Sequence, residues 1–235
     1  MIRTLVITVF LVAGVAAACG GNQAQVALEG TSEVNIDVCD PATGAFTLDI
    51  TNAYLPYAVG QRAVLEGMDG SRSARVQITV LDETEEVAGI VTRVVEEREW
   101  IADELVEVSR NFVAQAADGS VCYFGEDVDD YRNGEVTGHG GAWRAGENGH
   151  RPGILMPASP VVGTSFQQEI AKGIAEDAAV IKEVGVPFTV PAGTYDDTVA
   201  TEDVDPIGGG VDPKRYARGV GLIVDESLVL TSFTG

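Results

Sequence analysis

The sequence predicts a mainly β protein built on one curved antiparallel sheet, for three reasons. Val- and Ile-rich segments recur along the chain, and short turn signals such as Asp118-Gly119 separate them. Within residues 76–80 apolar side chains alternate with polar ones, which is typical of a strand with one buried face. The connections are too short for crossover helices, so neighbouring strands are expected to run antiparallel. We therefore expect a single curved sheet or half-barrel.

The expected strands form two groups, before and after a change of texture near residue 125. The first group covers residues 61–66, 74–81, 89–100 and 105–116. The second group covers residues 165–171, 178–184, 187–190, 198–202, 214–217, 221–224 and 228–232. Residues 168–182 could instead be helical, because their composition permits a helix, although Gly173 weakens that alternative.

Between the two groups, residues 125–160 are predicted to be a Gly- and Pro-rich loop inserted into the domain. This stretch holds eight glycines and three prolines. A loop of that length is uncommon in a compact domain and is usually functional or disordered, and apolar residues such as Trp143 and Leu155 argue against disorder. Trp143 and its apolar neighbours could touch an apolar ligand at the mouth of the half-barrel. They could equally form a plug that closes the core.

The N-terminus divides into a signal segment, residues 1–18, and a tether with an N-terminal arm, residues 19–44, ahead of a β domain over residues 45–235. Arg3 precedes an apolar run over residues 5–15, and three alanines then lead into Cys19. This pattern resembles the lipobox of bacterial lipoproteins, which implies cleavage before Cys19 and diacylglycerol on its thiol. Ala16 stands where that family usually has Leu. The alternative is an ordinary secretory signal cleaved after Ala18.

Charge restricts the partners of the chain. The net charge is −21 at pH 7, which repels nucleic acid and anionic lipid headgroups. Membrane attachment would therefore depend on acyl chains at Cys19. Gly20 is not the Asp that favours inner-membrane retention, so the outer leaflet or the outer membrane is the expected location, with the domain outside the cytoplasm.

The two remaining cysteines, Cys39 and Cys122, are a candidate disulfide. Exported proteins reside in oxidising compartments where disulfides persist, and the bridge would tie the arm to the middle of the domain. The alternative is a pair of unbridged thiols.

Several motifs together resemble a widespread family of uncharacterised bacterial exported proteins and lipoproteins. The resemblance covers roughly residues 52–225. It rests on residues 123–126 (Tyr-Phe-Gly-Glu), 142–149 (Trp-x-Ala-Gly within it), 151–157 (Pro-Gly-Ile), 167–169 (Gln-Glu), 175–177 (Ala-Glu-Asp), 190–195 (Val-Pro-Ala-Gly) and 214–221.

The resemblance implies export and a curved antiparallel sheet, similar in architecture to the carriers and receptors that move lipoproteins across the periplasm. It implies no established activity. Two positions depart from the pattern: Cys122 stands where Trp is expected, and Arg218 stands where Pro is expected.

Four acidic residues within these motifs are candidates for a site: Glu126, Glu169, Glu176 and Asp177. Two facing carboxyl groups could act as acid and base on a glycosidic bond, or they could bind a hard divalent cation. The commoner role is structural, with the carboxylates capping loop amides or pairing with Arg144 and Lys214. No cofactor is predicted beyond that cation.

Other site motifs are missing from the sequence. Residues 127–140 do not fit an EF-hand loop in any register, and His139 and His150 lack the further ligands that a zinc site needs. Neither a Gly-x-Ser-x-Gly elbow nor a phosphate-binding glycine loop occurs. The leading interpretation is a lipid-anchored protein that binds a ligand or partner at the cell envelope without catalysis. The alternatives are a carboxylate-based glycan hydrolase and a structural envelope protein.

Overall fold

The computed structural model describes residues 32–235, and these residues are almost entirely β-structure. They contain no α-helix, only two 3-10 turns over Ile36–Cys39 and Pro41–Thr43. None of their helices is long and apolar enough to cross a membrane. The predictions made for residues 1–31, including the signal segment and lipidation of Cys19, lie outside the described residues.

The described residues form sixteen strands. The strands are β1 (Ser32–Glu33), β2 (Phe46–Thr47), β3 (Arg62–Asp69), β4 (Arg72–Val87), β5 (Ile90–Ile101), β6 (Glu104–Ala116), β7 (Val121–Arg132), β8 (Glu135–Gly138), β9 (Trp143–Arg144), β10 (Gly153–Met156), β11 (Thr164–Gln167), β12 (Ala178–Val190), β13 (Gly193–Val204), β14 (Val211–Ala217), β15 (Gly221–Asp225) and β16 (Leu228–Thr234).

All sixteen strands belong to one large mixed sheet that is not closed. Its order is β1-β11-β12-β13-β14-β15-β16-β3-β4-β5-β6-β7-β10, with β2 paired to β6 and both β8 and β9 paired to β7. Every pairing is antiparallel except that of β1 with β11, which is parallel. The prediction of a mainly β fold is confirmed, and the parallel strand comes from the N-terminal arm.

The structure corrects two details of the sequence prediction. Residues 125–160 are not a continuous loop, because β7 extends to Arg132 and β8, β9 and β10 follow it within this stretch. The helical alternative for residues 168–182 is also wrong. One strand, β12, covers both residues 178–184 and residues 187–190. Gly185 between them takes a left-handed φ of 74°, and the pairing with β13 continues past this irregular stretch.

The two ends of the sheet approach each other at one seam. The backbone N–H of Arg151, just before β10, donates to the carbonyl of Ile170, just after β11, at 3.0 Å. Apart from this isolated bridge, β10 and β11 are not paired within the described part of the chain. The sheet therefore curls round so that its inner face encloses a core, which is filled by side chains such as Leu65, Tyr123 and Tyr216.

The N-terminal arm lies along this seam. Its strand β1 pairs with β11, and its first 3-10 turn packs against β10. At the end of that turn Cys39 forms a disulfide with Cys122 of β7, with 5.6 Å between the two Cα atoms. Both cysteines are buried. The arm is therefore part of the folded domain and is covalently fixed to it.

Gly125 is the position in β7 where the strand can carry no side chain. Its φ is +125°, and a Cβ added there would lie 2.2 Å from the carbonyl oxygen of Trp143 in β9. Gly134 in the β7–β8 turn also has a positive φ, +79°, but its Cβ would meet no atom within 4 Å. The two glycines differ in the space around them.

We therefore expect Gly125→Ala to lower the free energy of unfolding by about 3 kcal/mol or more, because backbone strain and a backbone clash add together. The matched change Gly134→Ala should cost only about 1 kcal/mol, because it introduces strain alone. Urea unfolding of both variants measures the difference. Equal losses in the two variants would contradict the close approach of β9 to β7.

Candidate functional site

The predicted acidic residues fall partly inside the domain. Glu126 lies on β7 opposite Asn111 of β6 and Trp143 of β9, and its side chain is fully buried. Glu169 lies between β11 and β12 and is 3 % exposed. Asp177 lies close to Glu169, since its carbonyl accepts the Glu169 N–H at 3.2 Å. Glu176 is half-buried on the same connection.

These acids belong to a larger group of buried ionisable side chains, which we call the interior charge cluster. It contains five carboxyl groups and one ammonium group. The members are Glu97, Glu126, Glu169, Asp203, Lys214 and Asp225, each at most 5 % exposed.

Lys214 of β14 is the cation of the cluster. Its Nζ lies 3.4 Å from a carboxylate oxygen of Asp203 on β13 and 3.6 Å from one of Asp225 on β15, its two neighbouring strands. Burial lowers the pKa of Lys214, but the negative charges of Asp225 and Asp203 outweigh it and hold the pKa well above its usual range. The ammonium group is therefore charged and offsets part of the buried negative charge.

The positive charge of Lys214 offsets only part of the negative charge of the carboxyl groups, and burial raises the pKa values of four of them. Burial first, and then the charge of Asp225, raises the pKa of Glu97 to about 7. Burial likewise raises the pKa of Asp225 to about 6, against the opposing effect of Lys214. Burial and the neighbouring Glu169 raise the pKa of Glu126 well above its usual range, and burial and Asp177 do the same for Glu169.

Hydrogen bonding does not compensate these groups either. Within the described residues, no hydrogen bond of normal geometry reaches either oxygen of Glu126, nor Oε2 of Glu97 or of Glu169. The nearby hydroxyl of Tyr123 donates instead to Oδ1 of Asn111. Carboxyl groups in such surroundings are more stable protonated than ionised. The ionised forms of these carboxyl groups are therefore disfavoured inside the sheet.

Access to the cluster is narrow. A cavity of about 10 Å³ lies beside the cluster. It is lined by Leu155, Gln168, Glu169, Asp177, Asp203 and Lys214. That volume holds about one water molecule. A sugar cannot reach these carboxyl groups while the sheet keeps this conformation. Among residues 32–235, no group of three or more His, Cys, Asp or Glu side chains is arranged to hold a metal ion.

Arg144 and Lys214 were expected to pair with the acids of the motifs, but their ion pairs are with other carboxylates. Arg144 pairs with Glu85 and Asp127, each at 2.7 Å, and not with the acids of the motifs. Lys214 pairs directly with Asp203 and Asp225. Sequence analysis missed Glu97, Asp203 and Asp225. The one usable signal for Glu97 is that it lies within a predicted Val-rich strand, residues 89–100.

A second candidate site is an open cleft beside the arm, which we call the arm cleft. Its volume is about 140 Å³. The arm supplies one wall, the β4–β5 turn supplies the lip and the β9–β10 connection supplies the other wall. The lining residues are Ile36, Asp40, Pro41, Ala88, Gly146, His150, Arg151 and Pro152.

Trp143 supports the arm cleft from below and does not line it. Its ring is 3 % exposed and packs edge to face against His150, with 6.3 Å between ring centroids, and against Tyr123, at 5.4 Å. His150 is held further by a backbone hydrogen bond to Glu147 at 2.8 Å. The wall of the cleft is therefore rigid, and the predicted contact of Trp143 with a ligand would be indirect.

Comparison with known proteins identifies no relatives. No model of a known protein family matches the chain, no curated protein matches its sequence and no solved structure matches its fold. The resemblance to exported bacterial proteins therefore stays a prediction from the motifs.

The raised pKa of Glu97 predicts that stability depends on pH. Its native pKa of about 7 exceeds the ordinary value of 4.5, so between these pH values the native state binds a proton that the unfolded state has released. The tighter proton binding of the native state contributes on the order of 3 kcal/mol of stability for this group alone. This contribution is fully present below pH ~4.5 and is lost as the pH rises through 7. Urea unfolding between pH 5 and 8 measures this slope. Glu97→Gln should flatten it, whereas the exposed control Glu104→Gln should not, and an unchanged slope in Glu97→Gln would refute the assignment.

Removing the cation of the cluster should be costly. We expect Lys214→Met to lower the free energy of unfolding at pH 7.5 by about 3–5 kcal/mol, because it leaves buried carboxylates without a counter-charge. The loss should be smaller at pH 5, which lies below the pKa values of Glu97 and Asp225. Lys182, half-exposed and 2.8 Å from Glu202, provides the control: Lys182→Met should cost under about 1 kcal/mol. Similar losses in both variants would show that Lys214 does not hold the cluster together.

Proposed function

We propose that this chain is an exported, lipid-anchored protein that binds a ligand or partner at the cell envelope in its arm cleft, without catalysis. The observation that carries the proposal is the fixed position of the arm. The arm begins 13 residues after Cys19, pairs with β11 and is linked to β7 by the Cys39–Cys122 disulfide. The same arm forms one wall of the cleft. An anchor at Cys19 would thus hold the cleft near the membrane.

The lining of the cleft suggests the kind of ligand. Ile36, Pro41 and Pro152 are apolar, whereas Asp40, His150 and Arg151 provide polar groups. The volume of 140 Å³ lies below the roughly 300 Å³ at which pockets for drug-sized ligands begin. A single apolar side chain of a partner protein, flanked by polar backbone or a charge, fits this cleft better than a whole cofactor.

The buried carboxyl groups favour binding over hydrolysis. A glycosidase needs two carboxyl groups on either side of a substrate that it can admit. Here the cavity beside Glu169 has room for about one water molecule. We therefore assign Glu126 and Glu169 to the buried interior of the fold and not to a reaction with a substrate.

We also propose, from the motif resemblance, that the curled open sheet is related in architecture to the carriers and receptors that move lipoproteins across the periplasm. This proposal concerns the architecture alone. The inner face is filled by large buried side chains such as Tyr123, Phe166 and Ile223, which leave little room for an acyl chain.

The proposal predicts a particular mature protein. Native mass spectrometry of the protein extracted in mild detergent from its own membrane should show a chain beginning at Cys19 with a diacylglyceryl adduct, and Cys19→Ser should lose that adduct. A chain that is cleaved but carries no lipid would refute the anchor.

The same preparation tests the arm cleft. A ligand or partner that copurifies should be lost in Ala88→Trp, because the larger side chain occupies the lip of the cleft. Ala102→Trp is the matched control, since Ala102 is also exposed on a hairpin turn with φ of 51°, close to the 53° of Ala88. Equal retention in both variants would place the binding site elsewhere.

A further inference from the structure

We infer that the Val161–Val162 loop is a second membrane contact. Its two apolar side chains meet the interfacial layer of a zwitterionic phospholipid bilayer beside the lipid anchor. This inference depends on the proposed function, because it presupposes that the protein is held at a membrane. It adds the face of the domain that meets the lipid.

The loop presents apolar side chains to solvent. Val161 and Val162 are 57 % and 58 % exposed, the two highest values among the large apolar side chains exposed in the described region. They lie in an uncharged stretch of 17 residues, 152–168, in a chain that carries 51 charged side chains in total. Apolar exposure of this kind is unfavourable in water and favourable in the interfacial layer of a bilayer.

Three hydrogen bonds hold the backbone of the loop. The backbone N–H and the hydroxyl of Thr164 both donate to the carbonyl of Val161, at 3.1 and 2.7 Å. The N–H of Gly163 donates to the carbonyl of Ile181 on β12 at 2.9 Å. The two valines are therefore held outward by the sheet, so little conformational entropy is lost when they meet a surface.

The position of the loop selects lipid as its partner. Ser32, the first described residue, pairs with Thr164, two residues after Val162. Any lipid on Cys19 is joined to this point by 13 residues, which span at most about 45 Å. The chain therefore enters the fold directly beside the loop, and within residues 32–235 Val161 and Val162 are the only two neighbouring residues among the exposed large apolar side chains.

Charge selects the kind of lipid. A net charge of −21 repels anionic headgroups, so the expected surface is zwitterionic. The nearest cation on β12, Lys182, is paired with Glu202 at 2.8 Å and offers no attraction for anionic lipid. The contact is thus apolar.

The test uses acylated full-length protein in phosphatidylcholine vesicles, with tryptophan placed at the loop or at a control site. Val162→Trp should be quenched by brominated phosphatidylcholine at least about threefold more than Val211→Trp, after subtraction of the parent protein's quenching. Val211 is the matched control, because it is 54 % exposed and lies at the start of β14, three strands away in the sheet from β11, which follows the loop.

The outcomes separate the two proposals. Preferential quenching of Val162→Trp on vesicles supports the contact. Equally weak quenching at both positions, with acylated protein floating with the vesicles, overturns the contact and leaves the anchor intact. A blue-shifted Val162→Trp emission in lipid-free solution together with a dimer mass overturns it in favour of a second copy of the chain. Absence of any acylated form overturns the proposed function and this inference together.

Discussion

The covalent link between Cys39 and Cys122 is the constraint on which the arrangement of this molecule depends. The ends of the sheet meet at one isolated bridge, and the N-terminal arm covers that seam by pairing with β11 and packing against β10. The cysteines are separated by 83 positions, so the chain-entropy estimate for the bridge is about 4.5 kcal/mol. The disulfide thus stabilises the fold and turns a short N-terminal segment into one wall of the arm cleft.

The interior charge cluster has the opposite effect to the disulfide, because its buried carboxyl groups destabilise the fold. Five buried carboxyl groups from both halves of the sheet share the interior with one ammonium group, that of Lys214, which pairs directly with Asp203 and Asp225. Burial raises the pKa values of Glu97, Glu126 and Glu169, so the protonated forms of these three groups are favoured relative to the same groups in water. Stability obtained from the disulfide and the apolar core offsets this unfavourable electrostatic contribution, which grows as the pH rises. The same burial separates the carboxyl groups from any substrate, which is why the site proposed for binding lies at the surface.

Much of the fold follows from local pattern, whereas the site does not. The long hairpins over β3 to β6 were predictable because Val and Ile alternate with polar residues there, as in residues 76–80. The short strands β8, β9 and β10 were not, since they lie among glycines and are held by pairing with β7 rather than by propensity. Glu126 and Glu169 stood out as motif acids, but their burial and their grouping with Glu97 arise from strands far apart in the sequence. No local signal carries that information.

The most direct test of this account is non-reducing peptide mapping by mass spectrometry of the protein extracted from its own membrane. The account predicts a peptide pair cross-linked through Cys39 and Cys122 and an N-terminal peptide that begins at lipid-modified Cys19. Those two products together would establish that the anchor continues into an arm that is fixed to the sheet. A disulfide joining Cys19 to either of the other cysteines would contradict both the anchor and the position of the arm.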